Sequence, residues 1–367
     1  MKGQNNDFPL NTIENSPKQP PEAPKKQNKL LWTILFIAIA AASIWAVTSQ
    51  NKDFSAKKFL SYLSNASPVW IFAAVLSMIA YIVVEAYAII YLCRGLGYKC
   101  KWKNGFFYSA SDIYFSAITP SATGGQPACA YFMVKDKVPG AVATVTLLLN
   151  VMMYTLSLVL TGIIIMIINP KTFFCFHPVS MILIAIGYIL QLGLALLFYF
   201  VLYKKDFLHR ICNNTLRLFG KIHLINNVEK KLAKLNKTME EYHSYSNILK
   251  KQRRMIIKTL FLNVLQRFAQ IAVTMFVFLA TGGILGQALD IWSIQNFVVI
   301  GASCIPIPGA IGITDYLMLD GFGRLMEAQQ ATNLELLSRT LSFYSCIFIC
   351  GISVIVKYYL LKRRSKT

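Results

Sequence analysis

The sequence predicts an all-α, polytopic membrane protein with six full transmembrane helices and two broken re-entrant hairpins. The chain has 367 residues, of which 55% are hydrophobic and 14% are charged, and its mean hydropathy is +0.50. Several apolar runs exceed about 18 residues, the length at which such a run indicates a transmembrane helix. Two further apolar regions are interrupted by Pro and Gly at matching places in the two halves of the chain.

The chain begins with a polar segment, residues 1–29, which is rich in Pro, Asn, Gln and Lys. This composition predicts a disordered cytoplasmic tail, because it offers little apolar surface to bury. The apolar run that follows lacks a clear small-residue cleavage site, so we interpret it as an uncleaved first span rather than a signal peptide.

The predicted full spans share long apolar runs with few charges. They cover residues 30–48, 68–92, 141–168, 178–203, 258–281 and 336–361. The two broken regions, residues 105–135 and 290–323, contain too much Pro and Gly for one continuous helix. Each is predicted to form two short half-helices joined by an unwound turn.

The basic residues predict the orientation of the spans. If both termini are cytoplasmic and each hairpin returns to its side of origin, most of the 37 Lys and Arg residues lie inside, as the positive-inside rule requires. Residues 30–168 and 178–361 then follow the same order of elements in opposite orientations, which predicts an inverted repeat. An accidental match of element order is the alternative. Residues 362–367 form a short cytoplasmic tail in this interpretation.

The two interruptions are candidate substrate sites. The first, Thr119 to Pro127, reads TPSATGGQP, and the second, Cys304 to Asp315, reads CIPIPGAIGITD. Paired interruptions in corresponding positions are the sequence signature of a transporter site, whereas helix kinks filled by protein are the alternative. The candidate binding residues in these segments are Thr119, Ser121, Gly124, Gly125, Gln126, Pro308, Gly309, Gly312 and Asp315. The turns could expose N–H groups at half-helix N-termini, an arrangement that suits phosphate.

Ionisable residues within the spans are further candidates, because charge inside a membrane is costly and usually functional. Glu85 and Arg267 occupy corresponding spans at similar predicted depth. They either line a substrate site, meeting a head group or a coupling proton, or form a structural ion pair. Arg339 either pairs with Asp315 or Asp320, meets a lipid phosphate, or extends to the interface. Asp112 and Asp320 flank the turns, and we expect them to cap half-helices or to join the site.

The polar loop at residues 204–257 is strongly basic and has apolar positions at three- to four-residue spacing. This pattern predicts an amphipathic helix on anionic lipid at the cytoplasmic face rather than nucleic-acid binding. The eight cysteines and four histidines are scattered without a CxxC pair, so we predict no metal site and no cofactor. No Walker, HExxH or triad pattern is present.

The two interruptions carry a family resemblance. The TPxxxGG segment of the first and the PxPGxxG segment of the second resemble the lysylphosphatidylglycerol synthase transmembrane region, a flippase-like domain also found in the multiple peptide resistance factor. Asp315 stands where the family pattern has Glu, and Arg339 matches the family's arginine at the start of the last span. The resemblance covers about residues 30–361.

The resemblance implies a bacterial plasma-membrane protein that moves a phospholipid, such as lysylphosphatidylglycerol, or a lipid-linked molecule between leaflets. A first alternative is a part in lysylphosphatidylglycerol synthesis and cationic peptide resistance, since relatives carry the label of phosphatidylglycerol lysyltransferase. We expect no transferase activity of the chain itself, because no aminoacyltransferase domain is recognisable. A second alternative is a membrane scaffold for envelope enzymes. The expected partners are phospholipids, with a separate aminoacyltransferase or an oligomer left open.

Overall fold

A computed structural model describes residues 61, 63–203, 252–303 and 305–364. All regular structure in these residues is helical. The helices are α1 Pro68–Gly95, α2 Trp102–Ile118, α3 Gly125–Lys135, α4 Gly140–Ile168, α5 Pro178–Tyr203, α6 Arg253–Ala280, α7 Ala288–Ala302, α8 Ile313–Phe322, α9 Ala328–Arg339 and α10 Cys346–Arg364. Short 3-10 turns also occur at 120–122, 170–172, 285–287 and 308–310.

Five helical segments of the described residues are long and apolar enough to cross a membrane. They are Pro68–Gly95, Gly140–Ile168, Pro178–Phe200, Arg253–Ala280 and Ala328–Arg363. Each coincides with a span predicted from residue 68 onward, so the predicted class of multi-pass, all-helical membrane protein is confirmed. The predicted first span at 30–48 lies outside the described residues, as do residues 1–29, most of the basic loop and the end of the C-terminal tail.

Helices α1 and α6 pack together along much of their length and form the centre of the bundle. Helix α2 packs between α1 and α10, while α4 packs against both α5 and α6. Helix α5 leaves Ile182, Ile189 and Leu196 exposed. A helix that is apolar on its outer face as well as its inner face is typical of a membrane span, and α5 therefore belongs at the lipid-facing edge.

Both broken regions consist of two helices separated by a tight turn. In the first, α2 and α3 flank the turn Pro120–Ala122, and in the second, α7 and α8 flank the turn Pro308–Ala310. The first turn has φ of 51° at Ser121 and 54° at Ala122, and the second has 61° at Gly309 and 49° at Ala310. The two turns thus share a proline followed by two left-handed residues, and they contact each other.

The last membrane segment begins earlier than the apolar run suggests. Helix α9 starts at Ala328, a π-helical segment follows at Thr340–Ser345, and α10 continues to Arg364. Arg339 therefore lies at the end of α9, well inside the segment, rather than at its start. A π-helical segment within an α-helix often marks a functional site, and this one lies beside the second turn, where Phe343 would touch a side chain at Gly309.

Candidate functional site

A polar cluster surrounds Glu85 in the middle of α1. The side chain is 6% exposed. Its Oε2 accepts hydrogen bonds from Nε2 of Gln266 on α6, at 3.1 Å, and from Oγ of Ser109 on α2, at 3.3 Å. A buried charged group is tolerated only with such partners, and here three separate helices supply the group and its donors.

Asp112 of α2 is the second carboxyl group of this cluster, and it connects Glu85 to the first hairpin. Its Oδ2 accepts a hydrogen bond from Gln126 Nε2 of α3 at 2.8 Å, and its Oδ1 accepts one from Ser116 Oγ at 3.3 Å. The carboxyl groups of Glu85 and Asp112 interact electrostatically. Asp112 is therefore part of the cluster and not a helix cap.

The double glycine of the first motif allows the hairpin to approach Asp112. A Cβ atom added to Gly125 would lie 2.2 Å from Oδ1 of Asp112 and 2.1 Å from Oγ of Ser116. Real Cβ atoms do not come so near other atoms, so only glycine lets α3 start against α2 at this point. The adjacent Gly124 is similarly restricted by Thr119, whose Cγ2 would lie 2.6 Å from an added Cβ.

Arg267 of α6 is 0% exposed and lies beside the carboxyl pair. Its guanidinium lies over the rings of Tyr154, with 4.1 Å between the guanidinium carbon and the ring centroid, and of Tyr81, with 5.5 Å. One terminal nitrogen donates to the Tyr154 hydroxyl at 3.3 Å and to Gln270 Oε1. The Nε and the other terminal nitrogen have no hydrogen-bond partner within the described residues. Arg267 and Glu85 interact electrostatically, but no direct ion pair joins them among these residues.

A second charged cluster lies beside the second turn. Nε of Arg339 is 3.0 Å from Oδ1 of Asp315, and both side chains are buried. The other Asp315 oxygen, Oδ2, accepts a hydrogen bond from the Gly312 N–H at 2.9 Å. Of the open alternatives for Arg339, the structure therefore shows the pairing with Asp315. Asp320 instead accepts a hydrogen bond from the His177 N–H at 2.9 Å.

Glu335 completes the second cluster from one turn earlier on α9. It is 1% exposed and interacts electrostatically with Asp315 and Arg339. The Arg339 guanidinium also lies over the Phe343 ring, 4.4 Å from its centroid. Each cluster thus consists of two neighbouring carboxyl groups and one arginine, and each sits beside one broken hairpin.

The remaining predicted residues act within the turns themselves. Oγ1 of Thr119 donates to the Phe115 carbonyl at 2.6 Å and accepts from the Gly124 N–H at 2.9 Å, closing the first turn. Ser121 is exposed on this turn. Pro308 begins the second turn, and Gly312 follows it with φ of 83°. The N–H groups of Gly124 and Gly312, expected to face phosphate, bind protein oxygens in this structure.

Several residues of the clusters were not recognised in the sequence. They are Ser109, Gln266, Tyr81, Tyr154 and Glu335. Glu335 carries a detectable signal, because it is an acidic residue four positions before Arg339 and adjoins an apolar run. The others are uncharged residues of ordinary transmembrane composition, and only packing identifies them.

A buried ion pair outside the two clusters connects the end of the first hairpin to α10. Nζ of Lys357 on α10 is 2.6 Å from Oδ2 of Asp136, which ends the hairpin, and the two side chains are 4% and 3% exposed. The Tyr108 hydroxyl donates to the same oxygen at 2.8 Å, and Lys357 also donates to Asn104 at 3.3 Å. These contacts hold α2, α3 and α10 together at one end of the bundle.

Comparison with protein-family models shows to which family the chain belongs. Residues 33–350 match the model described as the lysylphosphatidylglycerol synthase TM region. The chain belongs to this family. No curated protein matches the sequence. Both motif segments and both charged clusters fall within the matched part of the chain, which covers both hairpins and ends near the start of α10.

Proposed function

We propose that this protein is a lipid flippase or lipid transporter that moves a phospholipid, such as lysylphosphatidylglycerol, or a lipid-linked substrate between leaflets. One observation carries the proposal. Two unwound turns contact each other within a bundle of membrane-length helices, and each has a buried cluster of two carboxyl groups and an arginine beside it. A purely structural bundle would not need these groups, because each is costly inside a membrane.

The contact between the turns supports a shared site. Non-helical backbone at membrane depth is tolerated only where protein covers it or where it lines a cavity. Transporters place such segments at the interface of two repeats, where small movements of one repeat against the other change access to the substrate. The matching backbone of the turns, proline followed by two left-handed residues, supports an origin from one motif.

The proposed architecture is an inverted repeat of residues 30–168 and 178–361, with one hairpin entering from each face. The proposed location is the bacterial plasma membrane, with both termini cytoplasmic. The proposed partners are membrane phospholipids. Arg267 is the group best suited to a head-group phosphate, because two of its guanidinium nitrogens have no hydrogen-bond partner among the described residues and guanidinium binds phosphate oxygens in pairs. Arg339 also has two such nitrogens, but it already forms an ion pair with Asp315.

Reconstituted vesicles test the proposal. The full chain is purified in detergent and inserted into vesicles containing a trace of acyl-labelled lysylphosphatidylglycerol, phosphatidylglycerol or a polyprenyl phosphate. A membrane-impermeant quencher then measures the fraction of label that reaches the outer leaflet. We expect leaflet exchange of at least one anionic or aminoacylated lipid, well above that of protein-free vesicles.

Two variants separate exchange at the proposed site from leakage around the protein. Arg267→Gln removes the free N–H groups, and we expect it to lose most of the exchange. Arg324→Gln makes the same change at an exposed position and should exchange at the wild-type rate. Vesicles that exchange none of the three lipids, despite folded protein, would rule the proposal out.

A further inference from the structure

A lysine on the outer face of the bundle is held against two tyrosine rings at one end of the α1–α6 pair. Nζ of Lys258 on α6 lies 4.6 Å from the ring centroid of Tyr91 and 5.8 Å from that of Tyr87, both on α1. The two rings are stacked, with 6.2 Å between their centroids. Lys258 and Tyr87 are exposed, and Tyr91 is half-buried. Attraction to two rings places the ammonium group at a defined point of the surface.

Antiparallel packing of α1 and α6 brings these residues together. At one end of the pair, Gln252 Nε2 before α6 donates to the Gly95 carbonyl at the end of α1, at 3.1 Å. At the other end, the Ser67 N–H donates to the Ala280 carbonyl at 2.7 Å. In this register Lys258, in the second turn of α6, lies opposite the last two turns of α1, where the tyrosines are.

The same face of α6 continues from basic to apolar side chains. Arg254 precedes Lys258 by one turn and is also exposed. Phe261 and Leu265 follow on the next two turns and are exposed as well, and residues three or four apart lie on one helix face. Basic groups thus lie nearer the end of the helix and apolar groups deeper in the membrane, in the order of a phospholipid's head group and acyl chain.

The charge of this surface favours an anionic lipid. The acidic residue among the described residues at this end of the bundle is Asp136, and Lys357 pairs with it at 2.6 Å. No described carboxylate forms an ion pair with Arg254 or Lys258. Two neighbouring cations repel each other, and a phosphate between them removes the repulsion with charge-assisted hydrogen bonds. A zwitterionic head group brings a cation of its own and offsets this charge less well.

We propose that this surface binds one anionic phospholipid from the leaflet that it faces. The lysine–tyrosine patch consists of Tyr87, Tyr91, Arg254, Lys258, Phe261 and Leu265. The phosphate contacts the two basic side chains, and an acyl chain lies along the apolar ones. The patch is separate from the fully buried Arg267, which lies about 13 Å further along α6 at about 1.5 Å per residue. Binding there requires no leaflet exchange, so the site goes beyond the proposed function.

Native mass spectrometry tests the site. The full chain in detergent is titrated with phosphatidylglycerol or with zwitterionic phosphatidylcholine of the same acyl chains, and the apparent Kd of the first retained lipid is measured. We expect phosphatidylglycerol to bind at least about fivefold more tightly, which is the effect of one basic residue on anionic lipid. Equal affinity for the two lipids would overturn the proposal.

Matched charge changes separate the patch from a general attraction of anionic lipid to a basic surface. Lys258→Gln should weaken the binding of phosphatidylglycerol about fivefold. Lys99→Gln removes the same charge from an exposed position between α1 and α2 and should leave the affinity unchanged. Both side chains are exposed, so neither change disturbs the core. Equal weakening in the two variants would show that the attraction is general and would refute the patch.

The tyrosine rings are tested by two substitutions of the nearer one. Tyr91→Leu removes the ring but keeps an apolar side chain, and we expect it to weaken binding about two- to fivefold, the range of a cation–ring contact at an exposed site. Tyr91→Phe keeps the ring and should bind as the wild type does. Wild-type affinity in Tyr91→Leu would show that the rings do not position the lysine for lipid.

A final variant distinguishes the patch from the proposed transport site. Arg267→Gln leaves the patch intact, so phosphatidylglycerol should still bind, and adding Lys258→Gln should still weaken it. Loss of all binding in folded Arg267→Gln would place the lipid at Arg267 and reject the patch. Binding at the patch without leaflet exchange in vesicles would retain the patch and reject the flippase proposal, and exchange without such binding would do the reverse.

Discussion

Ser121 and Gly309 occupy the same position in two turns of matching backbone, with φ of 51° and 61°. Each follows a proline and precedes an alanine that is also left-handed. The surroundings differ. Ser121 is exposed, whereas a Cβ added to Gly309 would lie 2.2 Å from the Phe343 ring.

We expect exchanges at these two positions to have unequal effects. Gly309→Ser should lower the free energy of unfolding by about 2 kcal/mol or more, because left-handed strain adds to the conflict with Phe343. Ser121→Gly should change it by less than about 1 kcal/mol, since relief of strain is offset by the greater freedom of the unfolded chain. Chemical unfolding in detergent measures both. Equal losses would contradict the difference between the surroundings of the two positions.

Gly125→Ala should separate α3 from Asp112. The new methyl group would lie 2.2 Å from the Asp112 carboxylate, so the hairpin must shift and the hydrogen bond from Gln126 must lengthen. We expect lipid exchange in vesicles to fall at least about tenfold, which corresponds to about 1.4 kcal/mol in the barrier.

The matched control for this change is Gly193→Ala on α5, where an added Cβ meets no atom within 4 Å. It should exchange lipid at the wild-type rate and be slightly more stable, because alanine favours the helix over glycine by about 1 kcal/mol. Similar losses of exchange in both variants would indicate a general effect of helix substitution.

Asp315 has two functions that Glu can also perform. It pairs with Arg339 and accepts the Gly312 N–H, and Glu is equally suited to a capping box. We expect Asp315→Glu to keep most of the stability. Asp315→Asn removes the charge and should cost about 3–5 kcal/mol, as when one member of a buried ion pair is lost. Thermal unfolding in detergent compares the two, and a greater loss with Glu than with Asn would contradict this account.

Substitutions of Lys357 and Asp136 should have non-additive effects on the free energy of unfolding. Lys357→Met leaves the Asp136 carboxylate buried with the Tyr108 hydroxyl as its remaining side-chain donor among the described residues, at an expected cost of about 3–5 kcal/mol in the free energy of unfolding. The double variant Lys357→Met, Asp136→Asn should recover part of this loss, because no uncompensated charge remains. A double variant whose loss equals the sum of the single losses would show that the pair is not coupled.

The sequence identified the elements that depend on local composition. Apolar runs predicted the helices from residue 68 onward, because a membrane span must be long and apolar wherever it packs. Proline and glycine predicted both breaks, since neither residue suits a helix interior. The motifs at Thr119 and Pro306 also indicated the family, in agreement with the match over residues 33–350.

The sequence did not predict which side chains contact each other across the helices. Glu85 and Arg267 interact electrostatically, but the hydrogen-bond donors to Glu85 are Gln266 and Ser109, and the Arg267 guanidinium lies over Tyr81 and Tyr154. Asp112 lies 27 residues from Glu85 along the chain, and its sequence position left open whether it caps a half-helix or joins the site. Side-chain partners across helices depend on helix rotation and crossing, which hydropathy does not encode.

The tertiary structure also decided the position of Arg339. The last helical segment begins at Ala328, eight residues before the span predicted from hydropathy. Residues 328–338 are largely polar, and hydropathy did not detect them because this end of the helix packs against protein and does not need an apolar composition. Local chemistry thus determined where helices form and where they break. Packing alone determined which side chains surround each buried carboxyl group, which arginine pairs with Asp315, and that the two breaks contact each other.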